Sequence, residues 1–168
     1  VTAVSATASA YTLTLNPSGT SLSATLYSSP FRSAGGALAT GAAVYGGETV
    51  KITFSAATGY ESPACAVSGV GSIASGGTFT VSANHTVTAT ATRKSYTLAI
   101  DAGKNAVVSV LRDGTALSDG AELKHFDVLS VTVSAQSGYK ISAAAINGTA
   151  LTPGTAASHT VCADVTVT

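Results

Sequence analysis

The three histidines are the side chains best suited to acid–base chemistry or zinc binding in this sequence. His85 and His159 align, in the internal repeat described below, with the apolar residues Val165 and Phe79. A catalytic or metal-binding histidine would not be expected to alternate with valine or phenylalanine, so a structural position is the better interpretation. His125 has no cysteine or acidic partner at ligand spacing.

Other sequence signatures of catalysis are missing as well. A serine nucleophile needs a tight turn that exposes it, and the pattern Gly-x-Ser-x-Gly does not occur. Gly69-Val70-Gly71 lacks the third glycine and the following helix of a dinucleotide site. We therefore expect a non-enzymatic protein with no catalytic residues and no cofactor.

Four acidic residues crowd into the second half of the chain, where they could hold a calcium ion between loops, because hard cations bind several oxygen ligands together. They are Asp113, Asp119, Glu122 and Asp127. Only Asp127 has an acidic counterpart in the first half, Glu48. Solvated loop residues are therefore the better interpretation, and we expect no metal site.

The two cysteines, Cys65 and Cys162, are too few for a disulfide-rich scaffold or a zinc site. They fall at non-equivalent positions of the repeat, which excludes a disulfide within one copy. Buried free thiols are expected. A bridge between the two copies and a link to another chain are the alternatives.

The composition limits the classes of partner that the protein can bind. Charged residues make up 10% of the 168, eight basic and eight acidic, while Ala, Ser and Thr together account for 78. Such a neutral surface lacks the positive charge that nucleic acid requires, and no apolar run approaches the roughly 18 residues of a membrane span. Asn84-His85-Thr86 and Asn147-Gly148-Thr149 are candidate glycosylation sequences. We expect an extracellular protein without nucleic-acid partners.

The chain contains two copies of one module. Residues 35–60 align without gaps on residues 114–139, with Leu38 on Leu117 and Gly59-Tyr60 on Gly138-Tyr139. Residues 11–15 pair with 96–100, and residues 83–88 pair with 163–168. The first copy carries six extra residues near Ser28 to Ala34. An internal repeat of this kind indicates a tandem array of one supersecondary unit.

Within each copy the apolar residues recur at every second position, the pattern of a strand with one buried face. Val50, Ile52 and Phe54 alternate with polar residues, and glycine-containing breaks separate such segments. The pattern predicts an all-β chain of two tandem, small β-sandwich or β-meander modules arranged end to end. Their predicted bounds are 10–94 and 95–168, and residues 1–9 read as the closing strand of a preceding or neighbouring module.

The repeat resembles the divergent internalin-type B-repeat family of bacterial cell-surface proteins. The resemblance rests on Tyr-Thr-Leu-Thr-Leu at 11–15, on the segment from Gly47 to Tyr60, and on Thr78 to Ala91. The second copy adds Ile146-Asn147-Gly148-Thr149 and Asp164-Val165-Thr166-Val167-Thr168. The resemblance implies a role as a spacer, adhesive or filament-building segment at the bacterial surface.

These observations favour a structural repeat, a stalk or filament-building segment, whose partners are neighbouring modules. One alternative is an adhesin segment that binds a host protein or glycan through the loop of Phe31 and Arg32. Another is a head-to-tail filament subunit, because residues 1–9 form a strand without a module and the second copy stops at Thr168, short of its sister's strand. The candidate self-assembly residues are Val1, Ala3, Val4, Ala6, Val165 and Val167.

Overall fold

The structure, a computed structural model, describes residues 7–168. The described chain is all β and divides into two compact units, Val1–Thr92 and Arg93–Thr168, called module one and module two below. Residues 1–6, which include the candidate assembly residues Val1, Ala3, Val4 and Ala6, lie outside the described residues.

The strands of module one are β1 (Ala10–Ser18), β2 (Thr20–Ser28), β3 (Ala37–Leu38), β4 (Ala42–Tyr45), β5 (Thr49–Ala56), β6 (Tyr60–Val67), β7 (Gly71–Ser72), β8 (Thr78–Thr80) and β9 (His85–Arg93). Those of module two are β10 (Ser95–Ile100), β11 (Ala106–Arg112), β12 (Thr115–Leu117), β13 (Glu122–Lys124), β14 (Val128–Ala135), β15 (Ala145–Ile146), β16 (Thr149–Ala150), β17 (Ala157–Thr160) and β18 (Val165–Val167).

The two modules share one topology. Module one has the sheet orders β4-β1-β9-β6-β7 and β3-β2-β5-β8, and module two has β13-β10-β18-β15-β16 and β12-β11-β14-β17. Each strand of the first set has a counterpart nine places later in the second. The prediction of an all-β chain with two sandwich-like modules is confirmed.

The period-two pattern explains the burial. In β5, Val50 and Ile52 are fully buried while Thr53 is exposed, and in β9, Val87 and Ala89 are buried while Thr86 is exposed. Each module has its own apolar core, the first built around Leu13, Val50 and Ile52. The second core contains Leu98, Leu129, Val131, Val165 and Val167.

One turn differs in its chemistry between the modules. Gly47, before β5, has a φ of +87°, which costs little without a side chain. Its counterpart before β14 is Phe126, whose φ of +69° places a bulky L-residue in the left-handed region. The same backbone bonds hold both turns: Gly47 N–H donates to Val81 O at 3.0 Å and Phe126 N–H to Val161 O at 2.8 Å. The tertiary frame therefore overrides the local preference of phenylalanine.

Candidate functional site

The most distinctive feature of each module is that its first and last described strands are parallel neighbours. β1 and β9 pair over six positions, from Leu13 opposite His85 to Ser18 opposite Thr90. β10 and β18 pair in the same way over three positions, from Leu98 opposite Val165 to Ile100 opposite Val167. We call these two strand pairs the terminal ladders.

Val165 and Val167 are therefore not available as an open edge. Both are fully buried, and β18 lies between β10 and β15 in its sheet. Their role in the described structure is to fill the core of module two.

Side-chain oxygens hold the terminal ladder of module one in place. Asn84 Oδ1 accepts a 2.9 Å hydrogen bond from Thr12 N–H on β1. Thr40 Oγ1 accepts one of 3.0 Å from Leu15 N–H on the same strand. On β9, Thr86 N–H donates to Ser68 Oγ at 2.8 Å. These contacts satisfy backbone groups that the ladder itself leaves without a partner.

Module two repeats all three contacts with different side chains. Asp164 Oδ1 accepts from Thr97 N–H at 2.9 Å, and Asp119 Oδ1 accepts from Ile100 N–H at 2.8 Å. Asn147 Oδ1 accepts from Thr166 N–H at 2.7 Å. An oxygen acceptor at each position is thus common to both modules, whereas the residue type is not.

A buried carboxylate occupies a fourth equivalent position. Glu48 is fully buried, and its Oε2 accepts a 2.9 Å hydrogen bond from Tyr45 N–H. Arg32 binds the carboxylate through two nitrogens, at 2.7 and 2.8 Å, and Ser29 Oγ donates to it at 2.7 Å. Burial raises the pKa of Glu48, but the hydrogen bonds from Arg32, Tyr45 and Ser29 outweigh it, so the pKa lies below its ordinary value.

In module two the corresponding carboxylate, Asp127, has two arginine partners. Arg93 and Arg112 each lie 2.8 Å from one of its oxygens, and Lys124 N–H donates to Oδ2 at 2.9 Å. Burial again raises the pKa of the carboxyl, but the hydrogen bonds from Lys124, Arg112 and Arg93 outweigh it, so the pKa of Asp127 lies below its ordinary value. Arg93 also donates to the His125 carbonyl oxygen.

The histidines are incorporated into the packing. His85 is 3% exposed, its Nδ1 donates to Ser68 O at 2.8 Å, and its ring lies edge-on to Phe79 with 4.9 Å between centroids. His125 is buried, with Nδ1 3.2 Å from the Tyr96 hydroxyl. His159 lies on β17, opposite Leu129 of β14, and its buried Nε2 has no hydrogen-bond partner among the described residues.

The candidate ligand loop divides into two parts. Arg32 is engaged with Glu48 and with Ala43 O at 3.2 Å, and its guanidinium carbon lies 5.4 Å from the centre of the Tyr45 ring. Phe31 is 55% exposed and meets Tyr45 edge-on, with 6.4 Å between centroids. Arg32 therefore anchors the loop, and Phe31 is the residue it presents to solvent.

The candidate modification sites also differ from each other. Both cysteines are free: Cys65 is buried, and burial raises the pKa of its thiol, whereas Cys162 is exposed. The expectation of burial is thus wrong for Cys162. Asn147 donates its side-chain N–H to Asp164 O at 3.0 Å, so glycosylation there would compete with a structural hydrogen bond, while the Asn84 contact uses only its oxygen.

The acidic residues of module two do not assemble a cation site. Asp119 binds Ile100 N–H, Glu122 pairs with Lys124, and Asp127 pairs with two arginines. Among residues 7–168 there is no group of three or more His, Cys, Asp or Glu side chains arranged to hold a metal ion. That same part of the chain contains no helix long and apolar enough to cross a membrane.

Compared with known proteins, the chain matches no family model, no curated protein and no solved structure.

Sequence reasoning missed the ladder-fixing side chains. In the sequence, Asn84 is a candidate glycosylation site and Asp119 a candidate calcium ligand. The signal that could have found them is the repeat itself, which aligns Asn84 with Asp164 and Thr40 with Asp119. A position that keeps an oxygen acceptor while changing residue type indicates a backbone donor to be satisfied.

Proposed function

We propose that this chain is a non-enzymatic, load-bearing segment of a bacterial extracellular surface protein, a structural repeat of a stalk or spacer. The observation that carries the proposal is the parallel pairing of the first and last strands in both modules. The assignment to a bacterial surface draws on the resemblance to internalin-type B-repeats.

The direction of pulling explains why this strand pairing suits a load-bearing segment. Tension enters module one at the start of β1 and leaves at the end of β9. Because the two strands are parallel, this tension slides them past each other along their length. All the hydrogen bonds of the ladder then resist together, whereas pulling at one end would break them one after another. The resistance is a property of the unfolding rate, which governs forced unfolding.

The ladder-fixing side chains strengthen the argument. Asn84 and Thr40 bind β1 from outside the ladder, and Ser68 binds β9. Their counterparts in module two do the same for β10 and β18. These six polar side chains thus hold the strands that tension would load.

The chain also passes the load from one module to the next with little slack. β9 ends at Arg93 and β10 begins at Ser95, so one residue separates the loaded strands in the sequence. A flexible linker, by contrast, needs many residues to store length.

Single-molecule pulling on the ends of the chain tests the proposal. We expect two separate unfolding events, each releasing about 25 to 30 nm of chain. The variant Asn84→Ala, which frees Thr12 N–H, should lower the force of one event. Ala83→Ser, at the neighbouring exposed position, is the control. Featureless extension at low force would contradict a load-bearing role.

A second candidate function, binding a host protein or a glycan, is favoured by the aromatic corner at which the exposed Phe31 ring meets the half-buried Tyr45 ring edge-on. Exposed aromatic rings supply much of the contact energy in protein recognition, and they can stack on sugars. Phe31→Ala should abolish such binding on a glycan array or in a cell-adhesion assay. Tyr27→Ala, which removes a ring that is 59% exposed, is the matched control.

A further inference from the structure

The turn between β15 and β16 consists of Asn147 and Gly148. Ile146 pairs with Thr149, so these two residues form a two-residue hairpin loop. Their φ angles are +46° and +77°, and a type I′ turn, which needs positive φ at both central residues, favours Asn-Gly for that reason. The same dipeptide is chemically labile, because the backbone nitrogen of glycine, with no Cβ beside it, can approach the side-chain amide carbon of the preceding asparagine.

Three hydrogen bonds fix Asn147 to the segment that leads into β18. Its side-chain Nδ2–H donates to Asp164 O at 3.0 Å, and its Oδ1 accepts from Thr166 N–H at 2.7 Å. Its backbone N–H donates to Thr166 O at 2.9 Å. An attack on the amide carbon requires the reacting atoms to meet in a defined geometry. Any rotation of the amide toward the Gly148 nitrogen must break both side-chain bonds, so the folded module opposes the reaction.

Module one has a different ladder-fixing side chain at this position. Ser68 is the counterpart of Asn147 in the repeat, and its hydroxyl oxygen accepts a 2.8 Å hydrogen bond from Thr86 N–H. A serine hydroxyl has no amide group to lose. The contact that holds β9 is therefore chemically permanent, whereas the one that holds β18 can be converted.

We propose that Asn147–Gly148 is a self-modification site that is protected in folded module two and reacts when the module opens. The Gly148 nitrogen forms a bond to Cγ of Asn147 while the bond from Cγ to Nδ2 breaks, and Nδ2 leaves as ammonia with the proton of the Gly148 N–H. Water then opens the resulting cyclic imide by cleaving one of its two C–N bonds. The products are aspartate or isoaspartate, in which the main chain runs through the former side chain.

Neither product can restore the contact with β18. The carboxylate that replaces the amide has no N–H to donate, so a negatively charged oxygen faces Asp164 O in place of the hydrogen bond. Isoaspartate also lengthens the main chain within a two-residue turn, whose length sets the register of the hairpin. A module that has been open long enough to react therefore refolds with a permanently weakened contact between the β15–β16 turn and β18.

This inference goes beyond the proposed function and does not depend on it, because denaturant opens the module as tension does. Peptide mapping by mass spectrometry, after incubation in mildly alkaline native buffer and in urea, tests the protection. We expect Asn147 to convert about tenfold faster or more in urea, since only the open module releases the amide. Asn84, which precedes His85, should convert far more slowly than Asn147 in urea. Equal rates for Asn147 in the two buffers, or no conversion in urea, would overturn the proposal.

A matched variant separates the effect of the hydrogen bonds from that of the turn. Asp113 and Gly114 form the two-residue loop between β11 and β12, with φ angles of +51° and +78°. The Asp113 side chain is exposed and has no hydrogen-bond partner within residues 7–168. The amide introduced by Asp113→Asn should therefore convert in native buffer about tenfold faster or more than Asn147 in the same molecule. Equal survival of the two amides would refute protection by the hydrogen bonds.

The consequence for stability is measured with a variant that mimics one product. Asn147→Asp should raise the equilibrium constant for unfolding of module two by about tenfold. Asn84→Asp is the control and should leave module one unchanged, because Asp164 makes the equivalent contact in module two. Urea denaturation followed through the amide resonances of each module measures both. Wild-type stability of module two in Asn147→Asp would show that the modification does not weaken it. All three experiments leave the pulling result unaffected, so the two proposals fail separately.

Discussion

Glu48 and Asp127 occupy the same position of the two modules, and each accepts a 2.9 Å hydrogen bond from the backbone N–H three residues before it. Their positive partners come from different places. Arg32 reaches Glu48 from the loop after β2, whereas Asp127 is bound by Arg93 at the end of β9 and by Arg112 at the end of β11. The carboxylate is therefore the constant part of the module, and its counter-charge is the variable part.

The number of partners predicts different sensitivities. Arg32→Ala leaves the fully buried Glu48 carboxylate without its ion pair and should destabilise module one by about 2 kcal/mol or more. Arg112→Ala leaves Asp127 with Arg93, and should cost about 1 kcal/mol or less. Urea denaturation followed through the amide resonances of each module measures both. Equal losses of stability in the two variants would contradict the conclusion that Glu48 depends on a single arginine and Asp127 on two.

Acid should destabilise module one through Glu48. Its pKa in the folded protein lies below the ordinary value of 4.5, so the ionised form contributes stability above that pH, and the contribution is lost as the pH falls through the folded pKa. Glu48→Gln should lower stability at pH 7 and flatten the decline below about pH 4.5. Thermal melts from pH 7 to 2 measure this, with Glu61→Gln on the exposed side of β6 as control. A decline as steep in Glu48→Gln as in the wild type would refute it.

Gly47 permits a clean test of backbone strain. A Cβ at this position would meet no atom within 4 Å, so Gly47→Ala changes only the cost of a φ of +87°. We expect a destabilisation of about 1 kcal/mol or more. Gly36→Ala is the control, because its φ lies outside the positive range and its Cβ position is also open. The difference between their urea midpoints reports the strain, and no difference would mean that the turn adapts.

The cysteines should react at very different rates. Cys162 is exposed and should be labelled by a thiol reagent within minutes, whereas Cys65 is 5% exposed with a raised thiol pKa and should react only on unfolding. Mass spectrometry of the labelled chain in native buffer and in urea distinguishes the two. Rapid native labelling of Cys65 would show that β6 opens readily.

Much of the fold follows from the alternation of residues, and much of the site does not. The pattern of Val50, Ile52 and Phe54 predicts which face of β5 is buried, because side chains alternate across a strand. It contains no information about which strands are neighbours. The parallel pairing of β1 with β9 joins residues about 70 positions apart, and it emerges only from the packing of the whole module.

The roles of individual residues could not be predicted from the sequence for a related reason. Arg32 lies in a loop for which the sequence predicts no contact with Glu48, and only the folded structure brings the two side chains together. Cys162 occupies a turn between β17 and β18 whose exposure no local pattern predicts. By contrast, the equivalence of Glu48 and Asp127 was visible in the repeat, because both modules need a carboxylate there.

The load-bearing role is tested most directly by pulling the same ladder of module one in two directions. Handles at Ser9 and Lys94 load β1 and β9 in shear, whereas handles at Ser9 and Ala83 pull the parallel strands apart from one end. Both sets use cysteine handles in a Cys65→Ser, Cys162→Ser background. We expect the shear geometry to withstand a force several times that of the unzipping geometry at the same loading rate. Equal forces in the two geometries would contradict the claim that the parallel pairing of the first and last strands bears the load.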